Sequence, residues 1–287
     1  MNAITEEKTK MDIIEKIGHS VVHHGTFNNR IFLLKYHPND RTTITKRLNE
    51  LAQAKGYTKI IAKVPAAAQP VFLQDGFTQE AFIPAFYQGK EDVFFMSKFL
   101  SEDRQTSPNK ALSTLVDLLS EAPSQNGDSP ADRFKLDQLS PDEAPEMAKI
   151  FEQVFATYPF PVTNPDYIRQ TMQDGSVLYF GVWDQNKLVG ISSAEVDPAN
   201  RNAEMTDFAV LPDYRGHKLA YFLLSMMEEN LKKREYKTLY TIARLNSPGM
   251  NKTFINHGYH FSGVLKNNTN ISGQIESMNV YYKTIEP

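Results

Sequence analysis

The sequence predicts an α/β (α+β) chain made of two related halves. The second half is a mixed, mainly antiparallel sheet with helices, and the first is a smaller, degenerate copy of it. With 287 residues the chain exceeds the usual single-domain size of ~100 to 200 residues, so two domains are expected. β-rich and helix-like segments alternate along it. An internal echo is the third observation: Pro65 to Phe77 (PAAAQPVFLQDGF) matches Ser247 to Tyr259 (SPGMNKTFINHGY), with Phe72, Gly76 and Phe77 repeated as Phe254, Gly258 and Tyr259 at a constant separation of 182 residues. β-rich runs flank both pieces, which is the pattern of a duplicated unit.

In the first half, Ser20 to His37 forms two β-like segments around Gly25 to Asn29, Arg41 to Lys55 is helical, and Tyr57 to Val64 and Glu91 to Leu100 are strands. Ser101 to Asp132 has the Ser, Pro, Asp, Glu and Gln content of a linker, with one short helix carrying Leu112, Leu115, Val116 and Leu119. The expected division is therefore residues 1–105, a linker at 106–132, and a second domain at 133–287. That domain opens with a strand at Arg133 to Leu139 and a helix from Pro141 to Phe155, whose first turn holds acids. Tyr158-Pro159-Phe160-Pro161 cannot be regular helix, and a second helix follows from about Asp166 to Asp174. Val177 to Trp183 and Leu188 to Val196 form a hairpin turning at Asp184 to Lys187. Glu204 to Val210 is the next strand. After a helix come a strand at Thr238 to Leu245, a short helix at Met250 to Asn256, and closing strands at His260 to Val264 and Met278 to Thr284.

Composition narrows the function. A hydrophobic content of 41% with 23% charged residues is that of an ordinary soluble protein. A net charge of -3 leaves no basic footprint for nucleic acid. Without cysteine there are no disulfides, no thiolate metal ligands and no cysteine nucleophile. Adjacent His23 and His24 point to opposite faces of a strand, so no metal site is expected. The charged N-terminus lacks the apolar run of a signal peptide, no stretch reaches membrane-spanning length, and a cytoplasmic location is expected.

The most informative stretch is Ala203 to Leu224, AEMTDFAVLPDYRGHKLAYFLL. It reads as strand, turn and helix. Pro212-Asp213 breaks the strand, Arg215 to Ala220 opens the helix, and Leu219, Phe222, Leu223, Met226 and Met227 form one apolar face. A loop that closes onto a helix N-terminus offers free N–H groups to an anion such as phosphate.

This stretch resembles motif A of the GNAT acetyltransferases, Arg/Gln-x-x-Gly-x-Gly/Ala, with Arg215 and Ala220 at its ends and Lys218 in place of the central glycine. The order of elements from 133 to 285 is also similar to the GNAT fold. YPFPV at Tyr158, AEMTDFAVLPDYRG at Ala203, YTIAR at Tyr240, GMN at Gly249 and NNTNISGQIESMNVYYK at Asn267, together with the degenerate first half, resemble the β-lysine N-acetyltransferases. That likeness implies acetyl transfer from acetyl-CoA, as co-substrate, to the ε-amine of β-lysine, giving a neutral compatible solute. A polyamine, amino-acid or protein-lysine acceptor, or a non-catalytic acyl-CoA sensor, is the alternative. The partner is then a small-molecule amine, and the oligomeric state stays open, a homodimer included.

The resemblance also implies roles. Arg215, Gly216, His217, Lys218, Leu219 and Ala220 would hold the pyrophosphate, while Phe208, Ala209 and Val210 would receive the thioester, the N–H of Ala209 or Val210 polarising its carbonyl. Ser247, Asn251 and Phe254 would complete the cofactor site. Phe254 stands where the family often has a proton-donating Tyr, which leaves Ser247, Asn251 and Tyr259 as nearby donors with no choice among them. An alkyl ammonium with a pKa near 10.4 needs a base. Glu204 is the expected base and Asp207 its rival, with a bulge in the strand bringing both to one cleft. By position alone, and not from the resemblance, Tyr158 and Phe160 of the proline-rich helix connection are candidates to wall the acceptor pocket, and Arg244, Asn267, Asn268 and Asn270 are candidates to meet a substrate carboxylate.

Overall fold

The computed structural model describes residues 11–106, 109–122 and 130–285. The charged N-terminal decapeptide and the middle of the expected linker, 123–129, lie outside the described residues.

The first half contains strands β1 (Ile13–Ile17), β2 (Ser20–Gly25) and β3 (Arg30–Lys35), helix α1 (Ile44–Lys55), β4 (Lys59–Pro65), α2 (Gln69–Gln74), and the long hairpin of β5 (Thr78–Tyr87) and β6 (Glu91–Phe99). Helix α3 (Asn109–Ser120) follows. The second half runs through β7 (Phe134–Gln138), α4 (Ala144–Val154), α5 (Pro165–Gln173), β8 (Val177–Asp184), β9 (Lys187–Asp197), β10 (Asn202–Val210), α6 (Leu219–Lys233), β11 (Thr238–Arg244), α7 (Pro248–Asn256), β12 (His260–Ile271) and β13 (Gln274–Thr284).

The echo in the sequence is an echo in topology. The first sheet has the order β1-β2-β3-β4-β6-β5, and the second, read from its other edge, has β7-β8-β9-β10-β11-β13-β12. Aligning β3 with β10 and β4 with β11 superposes the two orders, and these are the parallel pairs in otherwise antiparallel sheets. Each parallel pair is joined by a helix, α1 or α6, as a parallel connection requires.

Several boundaries shift for local reasons. Pro141–Glu143 is a separate 3-10 turn, capped by reciprocal bonds between Ser140 and Glu143, and α4 starts only at Ala144. α6 starts at Leu219 rather than Arg215, because Pro212–Tyr214 forms its own 3-10 turn and Arg215 is extended. β1 and β5 carry no clear alternation and were not expected. The last hairpin is longer than expected because β12 continues past a register shift between Leu265 and Thr269. α3 is packed rather than free: Leu115 is buried in the core of the second half, and Lys252 on α7 pairs with Glu121 at 2.8 Å.

The halves share a third core. Tyr240, Leu265, Met278 and Val280 of the second sheet pack against Phe32, Ile61, Ile83, Phe86, Val93 and Phe95 of the first. Corresponding strands β5 and β12 meet where Gly263 leaves no room for a side chain: a Cβ there would lie 2.0 Å from the Glu80 carbonyl oxygen. The Ser262 hydroxyl donates to the Phe82 carbonyl, and the Phe82 N–H donates back to Ser262 Oγ at 2.9 Å. Lys59, fully buried, donates to Glu80 Oε2 and to the Lys266 carbonyl, both at 2.7 Å. Burial nevertheless pulls the Lys59 ammonium down to about 8, with Glu80 opposing the shift. A buried pair stripped of one partner leaves an uncompensated charge. Glu80→Gln is therefore expected to lower stability by about 3 kcal/mol, read as a fall in the urea midpoint. A loss below about 1 kcal/mol would show that this pair, which lies within the first half and carries the bonds to Lys266 across the joint, contributes little to stability.

Candidate active site

β10 and β11 are hydrogen-bonded only from Asn202/Thr238 to Glu204/Tyr240. Beyond that point β10 bulges: its register with β9 jumps from Thr206–Ser193 to Ala209–Ile191, one extra residue on β10, with Asp207 at φ +55°. Aspartate tolerates this left-handed conformation better than most residues. The bulge turns β10 away from β11 and opens a wedge-shaped cleft of about 720 Å³. Met205, Thr206, Asp207, Phe208 and Val210 line one side of the wedge, and Thr241, Ile242, Ala243 and Arg244 line the other.

At its outer end the cleft meets the α6 loop. Gly216 has φ +86° and Lys218 has φ +58°, so the lysine itself adopts the left-handed turn that a glycine would supply. That conformation costs a non-glycine residue roughly 1–2 kcal/mol. α6 has no side-chain N-cap, and its start forms part of the cleft wall with Arg215, Lys218, Leu219, Ala220 and Tyr221. A tight turn, an uncapped positive helix end and a cation fit a pyrophosphate. Ser247, Met250, Thr253 and Phe254 extend the wall, with Phe254 edge-on to Phe208 at 5.7 Å. The His217 ring is outside the cleft wall, 5.5 Å from Phe134.

Of the two expected carboxylates, Asp207 lines the cleft, whereas Glu204 is outside its wall. Ala203 and Leu239 are in the core of the second half, whereas the neighbouring Tyr240 and Ile242 face the first half. Glu204, paired with Tyr240, shares that second face. Its carboxylate sits where the two strands part and accepts from the Tyr240 hydroxyl and the Ile242 N–H. Burial raises its pKa, opposed first by Lys63 of β4 and then by those bonds. Asp207 accepts from the Tyr158 hydroxyl and, at 2.5 Å, from Ser193 Oγ. Burial raises it too, against those bonds.

A third acid, Glu195, is opposite Glu204 on β9. Its side chain is exposed to solvent, and Glu204, Asp207 and, from the first half, Lys63 all act on its carboxyl, so it stands at the open edge of a recess between the two sheets. Burial raises its pKa, and Glu204 and Asp207 push it further up. Lys63 sits in the same recess, its Nζ 3.4 Å from the Tyr240 hydroxyl. Neither Glu195 nor Lys63 was singled out from the sequence. The legible signal was YTKIIAKV, where Lys59 and Lys63 fall on the same face as buried Ile61 of an apolar strand.

The remaining expected residues divide. Tyr158 lines the cleft, while Phe160 stacks on His23 of the first half at 5.1 Å. Arg244 lines the cleft with its guanidinium held by Glu276 at 2.8 and 3.0 Å. Asn267 donates to the carbonyls of Asp103 (2.8 Å) and Thr106 (2.5 Å), Asn270 donates to Phe27, and Asn268 is buried with its carbonyl accepting from Arg30. These three asparagines bind the first half. Asn251 is outside the cleft wall, its amide donating to the carbonyls of Arg244 (3.0 Å) and Ser247 (2.8 Å) and accepting from Asn279 (2.8 Å) and Tyr281 (2.9 Å). Tyr259 is buried beside Glu228, away from the cleft, which leaves Ser247 as the expected donor that borders it.

The model of the acetyltransferase (GNAT) family matches residues 144–259. The chain is 36% identical to the β-lysine N(6)-acetyltransferase of Methanococcus maripaludis, over 96% of its own length and 100% of the relative's. It is 31% identical to N-acetyltransferase YodP of Bacillus subtilis over 93% and 96% of the two lengths. With the β-lysine N(6)-acetyltransferase of Methanosarcina mazei it shares 30% identity over 84% and 97%.

Asn251 uses every donor and acceptor it has inside the protein, tying α7 to β11 and β13. Asn251→Ala is expected to cost about 3 kcal/mol, since each buried partner it deserts loses roughly 1 kcal/mol or more. Thermal or urea unfolding reads this directly, and an unchanged stability with weakened acetyl-CoA binding would return Asn251 to the cofactor site.

Proposed function

The chain belongs to the GNAT acetyltransferase family and is an N-acetyltransferase, and on that premise we propose that it transfers the acetyl group of acetyl-CoA to the terminal N6 amine of β-lysine (3,6-diaminohexanoate). The full-length likeness to β-lysine N(6)-acetyltransferases carries this reading. The acids Glu195, Glu204 and Asp207 support it, because a recess lined by carboxyls attracts an acceptor with two ammonium groups.

Acetyl-CoA would supply the activated acetyl group. Arg215, Gly216 and Lys218 and the open end of α6 would hold its pyrophosphate, and the parted edges of β10 and β11 would take its thioester arm, with the Ala209 or Val210 N–H polarising the carbonyl. Glu204 would take the proton of the attacking amine, directly or through water, with Tyr240 and Ile242 fixing its carboxylate. A carboxyl raised towards neutrality is a better match for that proton than an ordinary one. Ser247 borders the cleft and would stand near the departing thiolate, and a thiol pKa near 8.5 lets that group leave without a dedicated acid.

Acetylation removes one positive charge and gives a neutral zwitterion, which suits a compatible solute. Access to acetyl-CoA suits a cytoplasmic location. Among the described residues no helix is long and apolar enough to cross a membrane.

Purified protein with acetyl-CoA and β-lysine should release free thiol, and no release with β-lysine alongside turnover of spermidine or lysine would move the substrate elsewhere. A base acts only after losing its proton, so kcat/KM is expected to rise with pH through the elevated carboxyl pKa, on a limb above the ordinary Glu value of about 4.3. Glu204→Gln should remove that limb and lower kcat about 100-fold. Retention of both would leave Asp207 or water as the base.

A further inference from the structure

The recess between the halves holds two charged groups, Glu195 and Lys63, that make no ion pair within 4 Å among the described residues, although Lys63 acts on both Glu204 and Glu195 at longer range. Glu195 makes no hydrogen bond or ion pair there. Lys63 has one long contact, 3.4 Å to the Tyr240 hydroxyl, and its ammonium lies 5.6 Å from the centres of both the Phe86 and Tyr240 rings, with no carboxylate within 4 Å. An ammonium has three donors, so two of them have no acceptor among the described residues. Lys59, four residues earlier on the same face of β4, shows the contrast: it is fully buried, ion-paired with Glu80, and serves the joint. Lys63 serves no such contact.

We propose that this recess is the head-group site of the acceptor, in which Lys63 contacts the acceptor's carboxylate and Glu195 its second ammonium, so that the first half of the chain sets acceptor specificity. The inference rests on the β-lysine reading, because only an acceptor with both groups uses both side chains. Glu204 and Glu195 face each other on neighbouring strands, and such pairs hold their side chains about 5 Å apart. That spacing suits two amines joined by four carbons, one reacting at Glu204 and one held at Glu195. Lys63 arrives from the opposite sheet, so the carboxylate is met by the only half that does not touch the thioester. Aromatic walls and partial burial strengthen an ammonium–carboxylate contact relative to open water.

The test compares kcat/KM for β-lysine with that for 1,4-diaminopentane, which is β-lysine without its carboxylate, and for 6-aminohexanoate, which lacks the second amine. The wild type is expected to prefer β-lysine to both. In Lys63→Met the preference for β-lysine over 1,4-diaminopentane should fall about 30-fold, the worth of a hydrogen bond to a charged group, and Lys63→Arg should restore most of it. In Glu195→Gln the preference for β-lysine over 6-aminohexanoate should fall similarly. A Lys63→Met enzyme slowed equally on every acceptor, with its acidic pH limb displaced, would mean that Lys63 acts only through Glu204, and this would overturn the proposal. Glu195→Gln, at a solvent-reached position, gives an independent reading should Lys63→Met fold poorly. A wild type active on β-lysine with both preferences unmoved in the variants refutes this inference alone, whereas a wild type inactive on β-lysine refutes the substrate reading.

Discussion

The parting of β10 from β11 just beyond Glu204 is the constraint on which the rest of the site depends. A parallel pair kept in register would close the sheet and leave no route through it. One extra residue in β10, accommodated by Asp207 at positive φ, converts the pair into a wedge. The same event decides where three groups go. The Ile242 N–H, deprived of a partner on β10, is satisfied by the Glu204 carboxylate. Asp207 is turned onto Ser193 and Tyr158. The outer end of the wedge is led to the uncapped start of α6, so the proposed anion site stands at one end of the opening and the proposed base beside the other.

The two halves are joined by charges that would be expensive if left unpaired. Lys59 is compensated by Glu80, which also accepts from Ser97 at 2.5 Å, and Arg30 finds the Asn268 carbonyl and Thr269 across the joint. Apolar residues of similar volume would give comparable stability more simply. What directional contacts add is a fixed register between β4, β5 and β12. Lys63 in turn depends on that register, because a slip along β4 by one residue would turn it away from the second half altogether.

Much of this was legible in residue patterns and some was not. The duplicated order of strands could be read from Phe72, Gly76 and Phe77 against their repeats, since a helix C-terminus followed by an aromatic strand start leaves a sequence trace. Leu219, Phe222, Leu223 and Met227 kept the helical spacing and are buried or nearly so. Lys218 was harder: a missing glycine suggests a lost turn, yet the backbone keeps the turn and bears the strain. Asn267, Asn268 and Asn270 show the limit in the other direction. Their amide chemistry suits a carboxylate as well as it suits backbone carbonyls, and only the position of the first half decides between the two. Glu195 could not be found without the register of β9 on β10, which a bulge makes unreadable from alternation.

The first half shares the topology of the catalytic half but lacks the features proposed there for binding an anion, and its own residues explain the difference. The connection from β3 to α1 corresponds to the one from β10 to α6. Where the second half has the start of α6 without a side-chain cap, the first places Asp40, a buried carboxylate that accepts from the N–H groups of His19 and Ser20 and from Ser20 Oγ, and these bonds hold it below the usual carboxylate range. The connection has no residue at positive φ between Tyr36 and Thr43, so the tight turn made by Gly216 and Lys218 has no counterpart. A phosphate there would meet a fixed negative charge in place of free donors. Freed from holding cofactor, the strands of this half could be recruited for something else, and the surface they present to Glu204 is the one face of the catalytic sheet that a lone second half would leave open to water.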